Sequence, residues 1–252
     1  MMDAHLDVLL FGGGGRMGRH LSRLVSEAGH RCLEIDARQD PDVARALDEQ
    51  LAQADVVIDF SSPEGTLLLL DHLLRHPAPC VIGTTGLTPA HHAAMDQLAI
   101  RTPVIYSSNF SVGMNVLWLL TERAAGVLDP ESFDVEIVEA HHRNKKDAPS
   151  GSAASLVERV REGRARAQTD DMLFHGPGLT EGRPPGAIGV AAVRGGDVVG
   201  EHTVFFLGDG ERIELSHRAT DRVILARGAW RAARWLLGRE PGRYGMKDVL
   251  GL

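Results

Sequence analysis

The sequence predicts a doubly wound α/β domain, a parallel sheet with helices on both faces, joined to a second α+β domain built on a mostly antiparallel mixed sheet. Three observations carry this expectation. Over residues 1–110, short runs that are apolar throughout alternate with helical patterns, and such strands belong to a parallel sheet covered on both faces. A glycine-rich turn follows the first of these runs. From Gly186 onward, strand-like runs are instead separated by short Gly/Asp turns, which signal hairpins.

The first five strands are read from DVLLF (7–11), RCLEID (31–36), DVVIDF (55–60), APCVIG (78–83) and TPVIYS (102–107). SSPEG (61–65) and LTPAHH (87–92) mark helix starts, since Ser or Thr caps the free N–H groups and Pro suits the first turn. After Asn109 the texture changes. A helix is expected over Gly113 to Leu128, then a partly alternating strand DVEIVEA (134–140), then a helix beginning near Ser150. The polar segment from Glu162 to Pro185, with Gly176, Pro177, Gly178, Gly182, Pro184 and Pro185, reads as a long surface loop. GAIGVAAVR, VVGEHTVFFL and ERIELSH follow as strands, divided by GGD (195–197) and GDG (208–210). The last segment, from Asp221 through RVILARGAWRAARWLLG, is helical and is expected to pack back on the first domain. The domains are therefore placed at 1–110 with 221–252, and at 111–220.

With 252 residues, 43% hydrophobic and 24% charged, the chain has the composition of a globular protein with a sizeable core. A net charge of −7 gives no general attraction to a phosphate backbone, so nucleic acid is not an expected partner and any anion site must be a local basic patch. Cys32 and Cys80 lie inside apolar runs without metal-ligand spacing and imply no disulfide framework. The run from Val8 to Phe11 has no cationic region before it and is too short for a signal peptide or a membrane span. A cytoplasmic location without membrane attachment is the expectation.

FGGGGRMGRH, between the first strand and a helix, is in the context of a dinucleotide-binding loop and makes the first sheet Rossmann-like. Gly13, Gly15 and Gly18 fit G-x-G-x-x-G, while Gly12, Gly15 and Gly18 fit G-x-x-G-x-x-G. In both registers the missing side chains let backbone approach a pyrophosphate held by the free N–H groups of the helix. Gly14, Arg16 and Met17 line the same loop. Asp36, at the end of the second strand, is placed to accept hydrogen bonds from ribose hydroxyls, whereas Arg38 would suit a 2′-phosphate, so the cofactor is NADH or NADPH. Later strand ends face the same ligand. Gly83, Thr84 and Thr85 of GTTG, and Ser107, Ser108, Asn109 and Phe110 of SSNFSVG, are the segments suited to the nicotinamide amide.

EIVEAHHRNKKDAPSGS (136–152) sets two histidines and several cations before a helix start. A solvated basic loop is the bland reading. A metal site is disfavoured, because adjacent His141 and His142 point different ways and no nearby Cys or acidic triad completes a shell. A nucleic-acid patch lacks interleaved aromatics. The sharper reading joins Lys145, Lys146 and the histidines to the N–H groups of Ser150, Gly151 and Ser152 as a site for a small carboxylate, with a histidine available for proton transfer near neutrality. Hydride donation to a C=N or C=C group conjugated to carboxylates leaves a negative charge or requires a proton, and this motif can supply either a cation or a proton.

GGGGRMG, VIDFSSPEGT, VIGTTG, SSNFSVGMN, EAHHRNKKDAPSGSA, RGGDVVGEHTV and GMKDVL, in this order across almost the whole chain, resemble the bacterial 4-hydroxy-tetrahydrodipicolinate reductases of lysine and diaminopimelate biosynthesis. The resemblance implies an NAD(P)H-dependent enzyme with a small dicarboxylate substrate bound between domains, and a homotetramer built through the second-domain sheets. It implies that His141 is a proton donor and acceptor, that Lys145 is a proton donor, and that His142, Gly151 and Ser152 bind substrate. The cofactor would contact Gly12 to Met17, Asp36, Gly83 to Thr85 and Ser107 to Phe110. Ser152 stands where the family usually has Thr, and the stretch from Asp36 to Asp55 is shorter than in longer members. Two alternatives remain: another two-domain NAD(P)-dependent reductase, or a non-catalytic dinucleotide sensor, which would bind NAD(P)H without oxidising it.

Overall fold

The protein is described by a computed structural model over residues 5–36, 42–165, 172–174 and 182–252. In chain order the first elements are β1 (Asp7–Phe11), α1 (Arg16–Glu27), β2 (Arg31–Ile35), α2 (Val43–Leu51), β3 (Val56–Asp59), α3 (Pro63–Arg75), β4 (Cys80–Ile82), α4 (Pro89–Ala99) and β5 (Pro103–Tyr106). Then come α5 (Val112–Val127), β6 (Phe133–His141), α6 (Gly151–Gly163), β7 (Met172–Phe174), β8 (Ile188–Arg194), β9 (Gly200–Gly208), β10 (Glu211–Ala219), α7 (Val223–Leu236), β11 (Gly242–Tyr244) and α8 (Met246–Leu250). They form two compact units, one of the chain up to Val112 with Val223–Leu252, the other of Gly113–Arg222.

The first unit is a parallel sheet in the order β11-β5-β4-β3-β1-β2. The central residues of β1, β3, β4 and β5 are apolar in succession because each face meets helices. Val8, Leu10, Val56, Ile58, Val81 and Ile105 point to one core, while Leu9, Phe11, Val57, Cys80, Ile82 and Val104 point to the other. Helices α1, α7 and α8 cover the first face through Leu21, Val25, Ala226, Ala233, Leu236 and Met246. Helices α2, α3 and α4 cover the second through Leu47, Leu69, Leu73, Met95 and Leu98. Each fully buried aliphatic side chain contributes about 1.5–3 kcal/mol. The C-terminal segment thus completes the first sheet twice over, with α7 on its face and β11 paired to β5, a strand too short to register in the sequence. Ser62 caps α3 by accepting from the Gly65 N–H, and Thr88 caps α4, each followed by Pro.

The second unit is a mixed sheet in the order β10-β9-β6-β8-β7, antiparallel across β10, β9 and β6 and parallel across β6, β8 and β7. Of the two turns expected to be hairpins, only Gly208 to Gly210 joins neighbouring strands. The GGD turn instead carries the chain across the end of β6, which lies between β8 and β9; Gly195 N–H donates to His141 O (2.9 Å) and Arg143 N–H to Gly196 O (3.3 Å). A turn sequence fixes chain reversal but not which strand fills the gap. The stretch expected as one long loop contains the end of α6 and the short strand β7, paired to β8. Gly176, Pro177 and Gly178 lie outside the described residues, as does Arg38. Helices α5 and α6 pack on one face of the sheet through Met114, Leu117, Leu156 and Val160 against Val135, Ile137, Ile188, Val190, Val204 and Phe206.

Candidate active site

The strand order 2-1-3 in the first unit sends the chain to opposite sides after β1 and after β2, which opens a crevice at the carboxyl ends of β1 and β3. The glycine loop lies there. Gly12 has φ +90°, and a Cβ on it would stand 2.7 Å from Phe60 O. A Cβ on Gly18 would stand 2.3 Å from Gly13 O and 2.4 Å from Gly12 O, so α1 packs on the loop only without a side chain there. A Cβ on Gly13 would stand 3.0 Å from Glu34 Cβ and one on Gly15, at the N-cap of α1, 3.2 Å from Gly12 O, so the glycines of both registers are closely packed. Gly12 and Gly13 N–H groups both donate to Ile35 O (2.8 and 3.2 Å), which ties the loop to the end of β2 next to Asp36.

Unlike α2, α3 and α6, helix α1 has no side-chain cap, and it has no acidic residue in its first turn. Its first-turn N–H groups lack intrahelical acceptors. Uncapped amides, a positive helix end and glycines without Cβ together suit a pyrophosphate. Gly14 and Arg16 are exposed, whereas the Met17 side chain packs against the core.

The turns after β3 and β4 are tied together by Asp59, which is not among the residues the sequence singles out. Its fully buried carboxylate accepts from Ser61 N–H (2.9 Å), Ser61 Oγ (2.6 Å), Thr66 Oγ1 (2.5 Å) and Thr84 Oγ1 (3.0 Å). Burial pushes this carboxyl above its ordinary range, opposed by those four hydrogen bonds. The Thr84 hydroxyl is therefore committed to the fold, and Thr85 is the exposed residue of the pair. Gly83 lies against the Phe60 ring, 2.3 Å from where its Cβ would be. After β5, Ser107 Oγ donates to Asn109 O (2.8 Å) and Asn109 Oδ1 accepts from Ser111 N–H (2.9 Å), folding Ser107, Ser108 and Asn109 into a tight turn. The Phe110 side chain is buried in the core, and its carbonyl lies 1.8 Å from where a Cβ on Gly228 would be. A glycine mid-helix costs about 1 kcal/mol, which was a signal for this close approach. Among the described residues, the segments expected to touch a dinucleotide thus gather at the carboxyl ends of one sheet.

In the second unit the core-facing rows of three strands change from apolar to ionisable at one end. On β6 the row runs Val135, Ile137, Glu139, His141; on β9 it runs Phe206, Val204, His202, Gly200; on β8 it reaches Arg194, the register partner of His141. Glu139 is fully buried. Its Oε2 bonds His141 Nδ1 (2.5 Å) and Arg194 Nη1 (2.9 Å), and its Oε1 accepts from Arg194 Nη2 (2.7 Å) and Ser150 N–H (3.0 Å). Burial raises the Glu139 carboxyl, but the bonds from His141, Arg194 and Ser150 overcome it and hold the group at about 2. His202, opposite Glu139 across the sheet, is pushed down to about 4, first by burial and then by the neighbouring His141, whose ring centroid is 5.2 Å away.

Ser150 caps α6 by accepting from Ala153 N–H, and through its own N–H joins that helix start to Glu139. Lys145 N–H donates to His142 O (3.1 Å), closing a turn, and Lys145 Nζ pairs with Asp147 Oδ2 (2.8 Å), holding that carboxyl below its ordinary value. His142 and Ser152 are half-buried, and Gly151 is exposed with nothing within 4 Å of where its Cβ would be. His141, His142, Lys145, Gly151 and Ser152 therefore lie in one neighbourhood, at the end of β6 and the start of α6. Glu139, Arg194, Gly200 and His202 complete it. Glu139 stands two residues before His141 on a strand and so on the same face, while Arg194, Gly200 and His202 fall in RGGDVVGEHTV, a motif of the family resemblance that does not by itself mark their place beside His141.

A family model described as dihydrodipicolinate reductase, N-terminus, matches residues 6–110, and one described as dihydrodipicolinate reductase, C-terminus, matches 113–250. A 4-hydroxy-tetrahydrodipicolinate reductase of Anaeromyxobacter dehalogenans is 45% identical over 271 residues, covering 97% of each chain. One from Syntrophotalea carbinolica is 48% identical over 210 residues, 83% of this chain and 78% of that one. In fold, the chain is similar to a dipicolinate-bound dihydrodipicolinate reductase from Paenisporosarcina sp. TG-14, with a TM-score of 0.77 at 22% identity, covering 97% and 98% of the two chains.

Proposed function

This chain belongs to the dihydrodipicolinate reductase family, and on that premise we infer that it reduces 4-hydroxy-tetrahydrodipicolinate to tetrahydrodipicolinate with NAD(P)H and loss of water, in lysine and diaminopimelate biosynthesis. The observation that carries the reading to particular residues is the buried Glu139–His141 pair beside Lys145 and the start of α6. A sensor needs cations for an acidic ligand but no histidine held by a buried carboxylate.

The substrate carboxylates are assigned to His142, Lys145 and the N–H groups of Gly151 and Ser152, where a helix start and a cation favour negative charge. Water loss takes a proton from the ring carbon next to the imine and a hydroxyl from the carbon beyond. His141 accepts the first proton and Lys145 protonates the departing hydroxyl. NAD(P)H, when bound, supplies the hydride that adds to the carbon that bore the hydroxyl. The displaced electron pair moves through the conjugated system, and His141 returns its proton to the same ring carbon, while solvent restores the proton on Lys145. The dinucleotide is assigned to Gly12, Gly13, Gly14, Gly15, Arg16, Met17, Asp36, Gly83, Thr84, Thr85 and Ser107 to Phe110.

The test follows the absorbance of reduced nicotinamide with freshly generated substrate, for NADH and NADPH separately. Wild type is expected to oxidise it; Lys145→Ala is expected to lose about 10²–10⁴-fold in kcat with dinucleotide affinity unchanged. Equal losses in both would sink the role given to Lys145, and binding without oxidation by wild type would favour the sensor. No helix among the described residues is long and apolar enough to cross a membrane. A cytoplasmic homotetramer assembled through the second sheet completes the proposal, and light scattering that gives a mass other than four chains would overturn that part.

A further inference from the structure

We propose that Glu139 is a positioning residue that fixes the tautomer of His141, holding the proton on Nδ1 so that Nε2 is the ring atom that exchanges a proton with substrate, and that Gly200 keeps the Nε2 side clear. The proposal rests on the reading above, in which His141 handles the proton. Its basis is geometric. Both oxygens of Glu139 are committed: Oε1 to Arg194 Nη2 and Ser150 N–H, Oε2 to Arg194 Nη1 and His141 Nδ1. Arg194 is anchored in turn, with Nη2 donating to Asp147 O (2.6 Å) and Nη1 to Val193 O (2.8 Å), so the carboxylate is gripped on two sides. An ionised carboxylate only accepts hydrogen bonds, and Nδ1 at 2.5 Å from it must therefore carry a proton.

The far side of the ring is equally restricted. Gly200 sits opposite the end of β6, and a Cβ there would stand 3.0 Å from His141 Nε2, tighter than ordinary contact. Any side chain at 200 would crowd the atom that substrate must reach. The His202 ring stands edge-on to His141 at 5.2 Å, and burial keeps His202 neutral, so it walls the site without competing as an acid. During the return step the Nε2–H bond breaks as the ring-carbon C–H bond forms. His141 is left neutral with Nδ1–H still on Glu139. Arg194 balances the charge of Glu139 throughout, so the carboxylate orients the ring without taking its proton.

The experiment labels histidine nitrogens in the intact enzyme and reads the His141 tautomer by nitrogen chemical shift at a pH where the ring is neutral, alongside kcat and KM. Wild type is expected to show Nδ1–H with an unprotonated Nε2. Glu139→Gln, whose amide can donate to Nδ1, is expected to lose that preference and about 10²–10³-fold in kcat, with KM within about threefold. Should Glu139→Gln not fold, Glu139→Asp keeps the charge opposite Arg194 while withdrawing from Nδ1, and is expected to weaken the preference and kcat together. Gly200→Ala is expected to keep the tautomer and lose about tenfold in kcat. An Nε2–H tautomer in wild type, or a folded Glu139 variant with wild-type kcat, would overturn the proposal. Full turnover by His141→Gln would instead defeat the reading it rests on, while the tautomer measurement would still decide the clamp.

Discussion

In the first unit the polar groups gathered at the strand ends are mostly backbone amides and hydroxyls, exposed by the absence of side chains at Gly12, Gly15 and Gly18; in the second they are ionisable side chains carried inward on β6, β8 and β9. The difference follows from the sheets. A parallel sheet buried on both faces leaves little room for a charge along its strands; Asp59, at the last position of β3, is committed to holding Ser61, Thr66 and Thr84, so the chemistry moves into the connecting turns. A sheet covered by α5 and α6 can let its core-facing row run past the apolar packing and end in Glu139 and His141. The first kind of site is sensitive to added atoms, the second to altered charge.

The largest effects are expected where backbone contact is closest. Gly228→Ala sets a methyl 1.8 Å from Phe110 O, and Gly18→Ala sets one 2.3 Å from Gly13 O, both against backbone that cannot swing aside. Each is expected to destabilise by about 3 kcal/mol or more and to weaken dinucleotide binding, as measured by chemical denaturation and by titration with NADH. A fully stable Gly18→Ala would mean that the loop yields, and would remove the contrast between the two sites.

Acid sensitivity is the matching probe of the second unit. His202 is held neutral by burial with a folded value of about 4 against 6.5 ordinarily, so the unfolded chain binds a proton that the folded chain refuses. Stability is therefore intact above pH 6.5 and falls as pH drops toward 4, by about 3 kcal/mol for the full shift. Glu139, held at about 2 from 4.5, acts in the same direction over a lower window: its contribution is present above 4.5 and is lost as pH falls on through 2. Between 6.5 and 4.5 the two are separable. His202→Gln is expected to lose much of the slope of stability against pH in that interval, and an unchanged slope would remove His202 as its source.

How far each site was legible in the sequence follows the same division. Glycines at 12, 13, 15 and 18 after an apolar run announce a turn because close backbone approach explains them together, although the positive φ of Gly12 and the backbone packed against Gly18 show only in the structure. His141 and Lys145 stood out as a charge cluster. Glu139 was within reach of period-two reasoning, whereas Arg194 and His202 become neighbours only through the β9-β6-β8 order, which the GGD turn concealed by resembling a hairpin. Asp59 was hidden differently. One acid at the end of an apolar strand looks like a surface residue until the hydroxyls of Ser61, Thr66 and Thr84 are seen to surround it.

The smallest structural effect is expected at Gly151, and it sharpens the comparison most. Gly18 and Gly151 both lie at the N-terminal part of a helix assigned to an anion, yet a Cβ on Gly151 would meet nothing within 4 Å. The fold does not require glycine there, and Ala suits the first turn of α6 better, so Gly151→Ala is expected to leave stability unchanged or raise it by about 0.5 kcal/mol. If a substrate carboxylate sits on the first N–H groups of α6, the methyl occupies the approach to them. KM for the substrate is then expected to rise about tenfold, a change of about 1.4 kcal/mol, while dinucleotide affinity stays the same. An unchanged KM would place the carboxylate elsewhere, on Lys145 and His142 alone, and would make glycine at 151 a choice that neither the fold nor the ligand explains.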